Sequence, residues 1–389
     1  MPLLGRIRGA SRRTLLVVGG GVLVLALGAG LVPLLVQGDA EASACRAAPA
    51  SARALARDPQ RAAAALDPGA DARTTGPLER LLRTKGAPLC GSAAGTALAG
   101  RAVVAATTGR TWEQRDAPAR AHTEREARIA HALIELLGHG RTYEPDFPVA
   151  LSPYVARTLA AYIEDTGGLA HVPDSDWYRP TVRDDQAEYE DHSGNWATPY
   201  PHGRDMHAVF PDTLRMEKVV RRLAASPRAF ATLYDAERAR FAYYLERLTG
   251  DAQEPGEKAK NGLMSTEIEL ERSANFIATL MVGRNVGLKE GWISSRAAFE
   301  RAVLRHTRGT YAAAGHQVRT RPASATLADR RPDASAGSGK RAAARLMDGR
   351  VQLFATFDRW ARERHIPEGS AERLRVEIDS RYVLALTQF

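Results

Sequence analysis

Three histidines and six carboxylates crowd one polar stretch of the chain. His192, His202 and His207 stand among Asp184, Asp185, Glu188, Glu190, Asp191 and Asp205. His202, Asp205 and His207 fall within six residues, near enough to converge on one metal such as zinc, which takes imidazole nitrogen and carboxylate oxygen. Three such ligands plus a water would form a hydrolytic centre, because the cation lowers the pKa of the water it binds. The aromatics nearby, Trp177, Tyr178, Tyr189, Trp196, Tyr200 and Phe210, offer a second use as a stacking platform for a ligand or sugar. They also supply what a plain structural loop needs to pack. His192, His202, Asp205 and His207 are therefore the candidate metal or ligand residues. Their spacing completes no established motif, so no cofactor is expected, with zinc the ion the set would suit.

Other constellations are weaker. His131, Glu135 and His139 lie at i, i+4 and i+8 and project away from the Ile129/Leu133/Leu136 stripe, as a solvated helix face would. No HExxH is present. Glu267, Glu269 and Glu271 suggest the paired acids of a glycosidase. Early helical glutamates equally suit the N-terminal dipole, and Thr266 with Glu269 reads as a capping box. Ser335 to Lys340 looks like half a P-loop, but Ala334 stands where the first glycine belongs and Arg341 replaces the hydroxyl residue. Neither GxSxG nor GxGxxG occurs. No catalytic residue is assignable.

The elements that must position these residues read as helices. Ile129, Leu133, Leu136 and Leu137 share a face ended by Gly138. Ser152-Pro153 opens the next helix, whose face is Val155, Leu159, Tyr162 and Ile163, and Gly167-Gly168 ends it. Ser226-Pro227 leads into Phe230, Leu233, Tyr234, Phe241, Tyr244 and Leu245. Further helices are expected from Thr266 and over 293–313, 341–363 and 370–386. No sustained strand alternation and no repeat period is found, so the class is all-α. Residues 168–211 and 316–340 interrupt the helices as two long irregular loops, the second of them mobile in expectation.

The first 45 residues read as an address. Arg6, Arg8, Arg12 and Arg13 precede an uncharged run from Leu15 to Val36. At 1.5 Å per residue that run is roughly 33 Å long, enough to cross a bilayer core. The arginines place the N-terminus in the cytoplasm. A basic segment (1–13), a signal-anchor helix (14–37), an Ala/Pro-rich stalk (38–112) and an extracytoplasmic helical domain (113–389) follow. Two rival readings also export the chain: a twin-arginine signal with cleavage after Ala44, and lipidation at Cys45. The only two cysteines, Cys45 and Cys90, both follow the apolar run, and in an oxidising compartment they are expected to bridge. Two unpaired thiols are the alternative.

Between Arg125 and Gly250, Arg128-Ile129-Ala130-His131, Leu151-Ser152-Pro153-Tyr154 through Ala161-Tyr162-Ile163-Glu164-Asp165, and Leu223 through Ser226-Pro227-Arg228-Ala229-Phe230 to Leu233-Tyr234 carry a resemblance. The stretch resembles a family of actinobacterial helical domains of unknown function, found near secretion and toxin-like loci. The resemblance implies a helical domain and brings no catalytic residues with it. Arginine outnumbering lysine 48 to 6 suits a GC-rich genome.

The formal charge of +9 from 54 basic and 45 acidic residues would suggest nucleic acid as a partner. Four of those charges are the N-terminal arginines, and Arg305 to Arg345 holds nine basic against two acidic residues, or +7. The remainder carries 9 − 4 − 7 = −2, so the helices are near neutral and no nucleic-acid groove is expected. The basic 305–345 segment suits anionic headgroups or wall polymers. A single-pass plasma-membrane protein follows, whose outer domain binds or scaffolds an envelope protein or the cell wall. The alternative is an envelope hydrolase acting on the wall through the 184–207 loop.

Overall fold

The computed structural model describes residues 45–70, 74–82, 89–91, 95–114, 121–139, 147–167, 180–183, 189–190, 196–197, 206–210, 213–246, 248, 266–307 and 348–387. Arg6, Arg8, Arg12, Arg13, the expected membrane segment 14–37, the expected loop 316–340 and the candidates His192, His202 and Asp205 lie outside them. Among the described residues no helix is long and apolar enough to cross a membrane.

The chain from Ser43 onward forms one compact unit, and it is mostly helical. Four helices, α1 (Ala52–Leu55), α2 (Pro59–Leu66), α3 (Gly76–Leu82) and α4 (Thr96–Thr108), occupy the stretch expected to be a stalk. Leu55, Ala62, Leu66, Leu78, Leu81, Val103 and Val104 enter the same core as the later helices. The expectation of a stalk is therefore corrected. Its alanines are not a sign of weak packing, since small side chains let helices approach closely. Gly100 shows this directly: a Cβ there would lie 2.4 Å from the Tyr154 ring.

Side-chain caps written in the sequence set five of the twelve helix starts among the described residues. Asp58 accepts from the Arg61 N–H ahead of Pro59. Thr123 and Glu126 form a reciprocal capping box at α5 (Glu124–Gly138). Ser226 with Pro227 opens α8 (Pro227–Leu245), and Ser295 and Asp348 open α10 (Arg296–His306) and α11 (Gly349–Glu363). At α6 (Ser152–Ala161) the expected cap fails. Ser152 is already helical and a 3₁₀ turn over Val149–Leu151 leads in.

The remaining helices are α7 (Thr213–Leu223), α9 (Thr266–Lys289) and α12 (Glu368–Thr387). Helix α8 runs through the middle, against α6 on one side and α9 and α10 on the other, while α9 also meets α7 and α12. Phe230, Leu233, Tyr234, Phe241 and Leu245 of α8 are fully enclosed, each worth about 1.5–3 kcal/mol when taken from water. The α7–α9 crossing is as tight as the α4–α6 one, since a Cβ on Gly283 would sit 2.7 Å from the Arg221 Cα.

The 168–211 stretch, expected as irregular, carries short strands. Strand β1 (Thr181–Arg183) pairs antiparallel with β4 (Met206–Ala208), Val182 opposite His207, and β2 (Tyr189–Glu190) pairs with β3 (Trp196–Ala197). Strands of two or three residues leave too short an alternation to read. The Cys45–Cys90 bridge is formed, with Cα atoms 4.8 Å apart, beside a backbone hydrogen bond from the Cys90 N–H to the Arg46 carbonyl.

Candidate functional site

The polar residues that come together do so where α6 stops. After Ala161 the backbone leaves the helix at Tyr162 (φ −112°, ψ 37°), and one 3₁₀ turn follows at Asp165–Gly167. This break turns two successive carboxylates, Glu164 and Asp165, towards different partners, and both are buried. Tyr162 pins the break, since its hydroxyl donates to the Thr107 carbonyl at 2.8 Å and its ring stacks on His122 at 4.0 Å.

Asp165 faces the β1–β4 pair. One carboxylate oxygen lies 2.7 Å from His207 Nδ1, and the other accepts the Ala208 N–H at 2.9 Å. A carboxylate against Nδ1 holds the ring proton there and fixes the ring's orientation, the relation that orients a general base. Both side chains are almost wholly buried, 2% and 0% exposed. The strand is held from behind as well: His131 Nδ1 contacts the Val209 carbonyl, and the Val209 N–H donates to the Pro180 carbonyl.

His131 is thus at the core rather than on a solvated face, which corrects the sequence reading. Burial pushes its pKa down from the ordinary 6.5, so it is neutral at pH 7. Its companions part from it: Glu135 pairs with Arg215, and His139 is exposed just past the helix end.

Glu164 faces the helices. Arg240 of α8, fully buried, lies at the centre of three carboxylates: Nε to Glu164 at 3.3 Å, Nη1 to Glu237 at 2.8 Å, and Nη2 to Glu269. Arg272 takes the other oxygen of Glu269, and the Tyr244 hydroxyl donates to Glu164 at 2.6 Å. Three acids therefore share two guanidinium groups. Burial, reinforced by Glu237, pushes the Glu164 carboxyl up, and burial pushes the Tyr244 phenol well above 10. The carboxylates in turn raise Arg240 further. Tyr244 is accordingly a fixed donor, and holding a proton eases the burial of Glu164.

Of the sequence candidates, His207 is described and buried against Asp165, whereas His192, His202 and Asp205 belong to the stretch between β1 and β4. The three early acids of α9 separate. Glu267 reaches Arg373 and Glu271 reaches Arg381 at the surface, while Glu269, expected to cap the helix, turns inward to Arg240. Among the described residues no three metal-ligating side chains come together.

Sequence reasoning missed Glu164, Asp165, Glu237 and Arg240. A signal existed in α8: its apolar residues occupy every face, so Glu237 and Arg240 had nowhere to go but inside. Nothing comparable marked Asp165, whose partner is 42 residues away. Compared with protein-family models, curated proteins and solved structures, the chain gives no match.

Proposed function

We propose that the protein is a single-pass envelope protein whose outer helical domain binds or scaffolds another envelope component. The observation that carries this reading is the Cys45–Cys90 disulfide, formed only nine residues beyond the apolar run that ends at Val36. A bridge in that place suits a chain folding on the oxidising side of a membrane. The loop between β1 and β4 is the contact element of this reading. It combines histidines, carboxylates and aromatics, and its two ends leave the domain as a paired ladder held by Asp165 and His131. Rigid roots lower the ordering cost when a loop engages a partner.

A wall-acting hydrolase is the second reading, and the oriented Asp165–His207 pair favours it. Purified full-length protein in detergent, mixed with insoluble cell wall, separates the two. Retention on the wall without release of soluble fragments, weakened by His202→Ala, is the outcome for a binding module. Fragment release lost in His207→Gln, with unchanged melting, would replace it with the hydrolase. Neither retention nor release would overturn both for a wall partner.

A further inference from the structure

Four arginines at the start of the compact unit carry free charge. Arg46, Arg53, Arg57 and Arg61 are all exposed, and among the described residues none of them has an ion pair or a side-chain hydrogen bond. The exposed Arg350, Arg373 and Arg381, by contrast, each hold a carboxylate. From Cys45 to Leu66 the sequence sets one acid, Asp58, against the four, and its carboxylate caps α2 through the Arg61 N–H. The next acid, Asp67, is gripped by Arg125 and Arg128.

Helices α1 and α2 both pack on α4, and Ala52, Leu55, Ala62, Ala63 and Leu66 form their buried side. Arg53, Arg57 and Arg61 occupy the exposed side, where their neighbours are Ser51, Gln60, Ala64 and Ala65. No large apolar side chain stands among them, so this face lacks the anchors around which protein interfaces form. It suits phosphate instead, because a guanidinium can grip two phosphate oxygens at once. The covalent path leads to the same layer of helices. Nine residue steps from Val36 to Cys45 span at most about 32 Å. Cys45 is then stapled to Cys90, whose carbonyl accepts the Thr96 N–H at 2.8 Å and the Thr96 hydroxyl at 3.1 Å at the start of α4.

We infer that the α1–α2 face lies on the anionic headgroups of the bilayer crossed by residues 14–37, with Arg46, Arg53, Arg57 and Arg61 paired to lipid phosphate. The inference rests on that crossing. Attraction between a basic surface and an anionic bilayer fades within a Debye length, about 8–10 Å in physiological salt, so only a face held close can use it. A short tether stapled at α4 keeps this face at high local concentration over the bilayer. With no apolar wedge to insert, the contact is electrostatic and reversible, and salt must weaken it.

Both native cysteines are held in the Cys45–Cys90 bridge, so an added thiol alone takes a label. Full-length Gln60→Cys, with a fluorophore on that thiol, is reconstituted in phosphatidylcholine vesicles with or without phosphatidylglycerol, each holding the same content of headgroup-spin-labelled lipid. Quenching in the anionic vesicles should be about threefold stronger, and about 0.5 M salt should abolish the difference. Arg53→Gln, Arg57→Gln and Arg61→Gln together should abolish it too. These side chains hold no partner in the fold, so the melting curve should not move. A label at Ser380→Cys on α12, which packs on α9 and α11, should report no such difference. Equal quenching in the two kinds of vesicle, or indifference to the three substitutions, with the protein still bound after an alkaline carbonate wash, would overturn the lipid-facing assignment alone. Release of the protein by that wash would overturn the crossing, and the inference with it.

Discussion

Glu164 and Asp165 are consecutive carboxylates with opposite surroundings. Glu164 enters a cluster enclosed by α8 and α9, where two guanidinium groups and a phenol surround three acids. Asp165 reaches instead to a buried histidine and a backbone amide of strand β4. One side of the peptide holds the helices together through charge, and the other holds a loop in place. Buried polarity by itself therefore does not mark a working site. What distinguishes the two sides is what each holds: helices α8 and α9 around Glu164, and for Asp165 strand β4, which the stretch carrying His192 and His202 joins to β1 in sequence.

Removing the charge at the centre is the harshest way to break this comparison. Arg240→Met leaves Glu164, Glu237 and Glu269 buried with one guanidinium between them, and should cost about 3–5 kcal/mol of stability in denaturant unfolding. Asp165→Asn should cost less, about 1–3 kcal/mol, but its effect is local. Limited proteolysis within 184–205 should accelerate far more than global unfolding does. If Asp165→Asn lowered global stability as much as Arg240→Met and left loop cleavage unchanged, the two sides would be equivalent.

Acid should separate the sides by sign. Burial lowers the pKa of His131, behind the β1–β4 root, so its neutral form suits the fold; that contribution is present above the ordinary 6.5 and is lost as pH falls from there through its lowered value. Glu164 has a raised pKa, so its contribution is present below the ordinary 4.5 and is lost as pH rises through its elevated value. Between pH 7 and 5.5 loop protection from proteolysis should drop, and His131→Gln should flatten that drop. The smallest effect belongs to Glu164→Gln. It keeps an acceptor for Tyr244 and Arg240 while discarding the excess negative charge, so unfolding at pH 7 should move by less than about 1 kcal/mol.

Much of this was legible in the residues, and what was not has physical causes. The Ser226-Pro227 start and the late helices follow from local backbone chemistry, which neighbouring residues determine, whereas Gly138, expected to cap α5, is its last helical residue, and a Cβ there would lie 2.8 Å from that of Arg215. The α1–α4 segment was misread because alanines and short leucine runs become a core only when other helices arrive. His207 stood out as a candidate by its type, but its partner Asp165 is set by tertiary folding, and no local pattern announces a contact across 42 residues. Glu269 shows the same limit, since a capping position and a buried ion pair look identical in a line of residues.

The central claim is that the disulfide-stapled domain lies outside a membrane crossed by residues 14–37. Intact cells carrying an N-terminal epitope, treated with external protease and with a membrane-impermeant maleimide, test it most directly. The account predicts that the domain after Ser43 is digested while the epitope stays protected. It also predicts that Cys45 and Cys90 label only after reduction. A domain untouched by external protease until the cells are broken, with both thiols free, would contradict it.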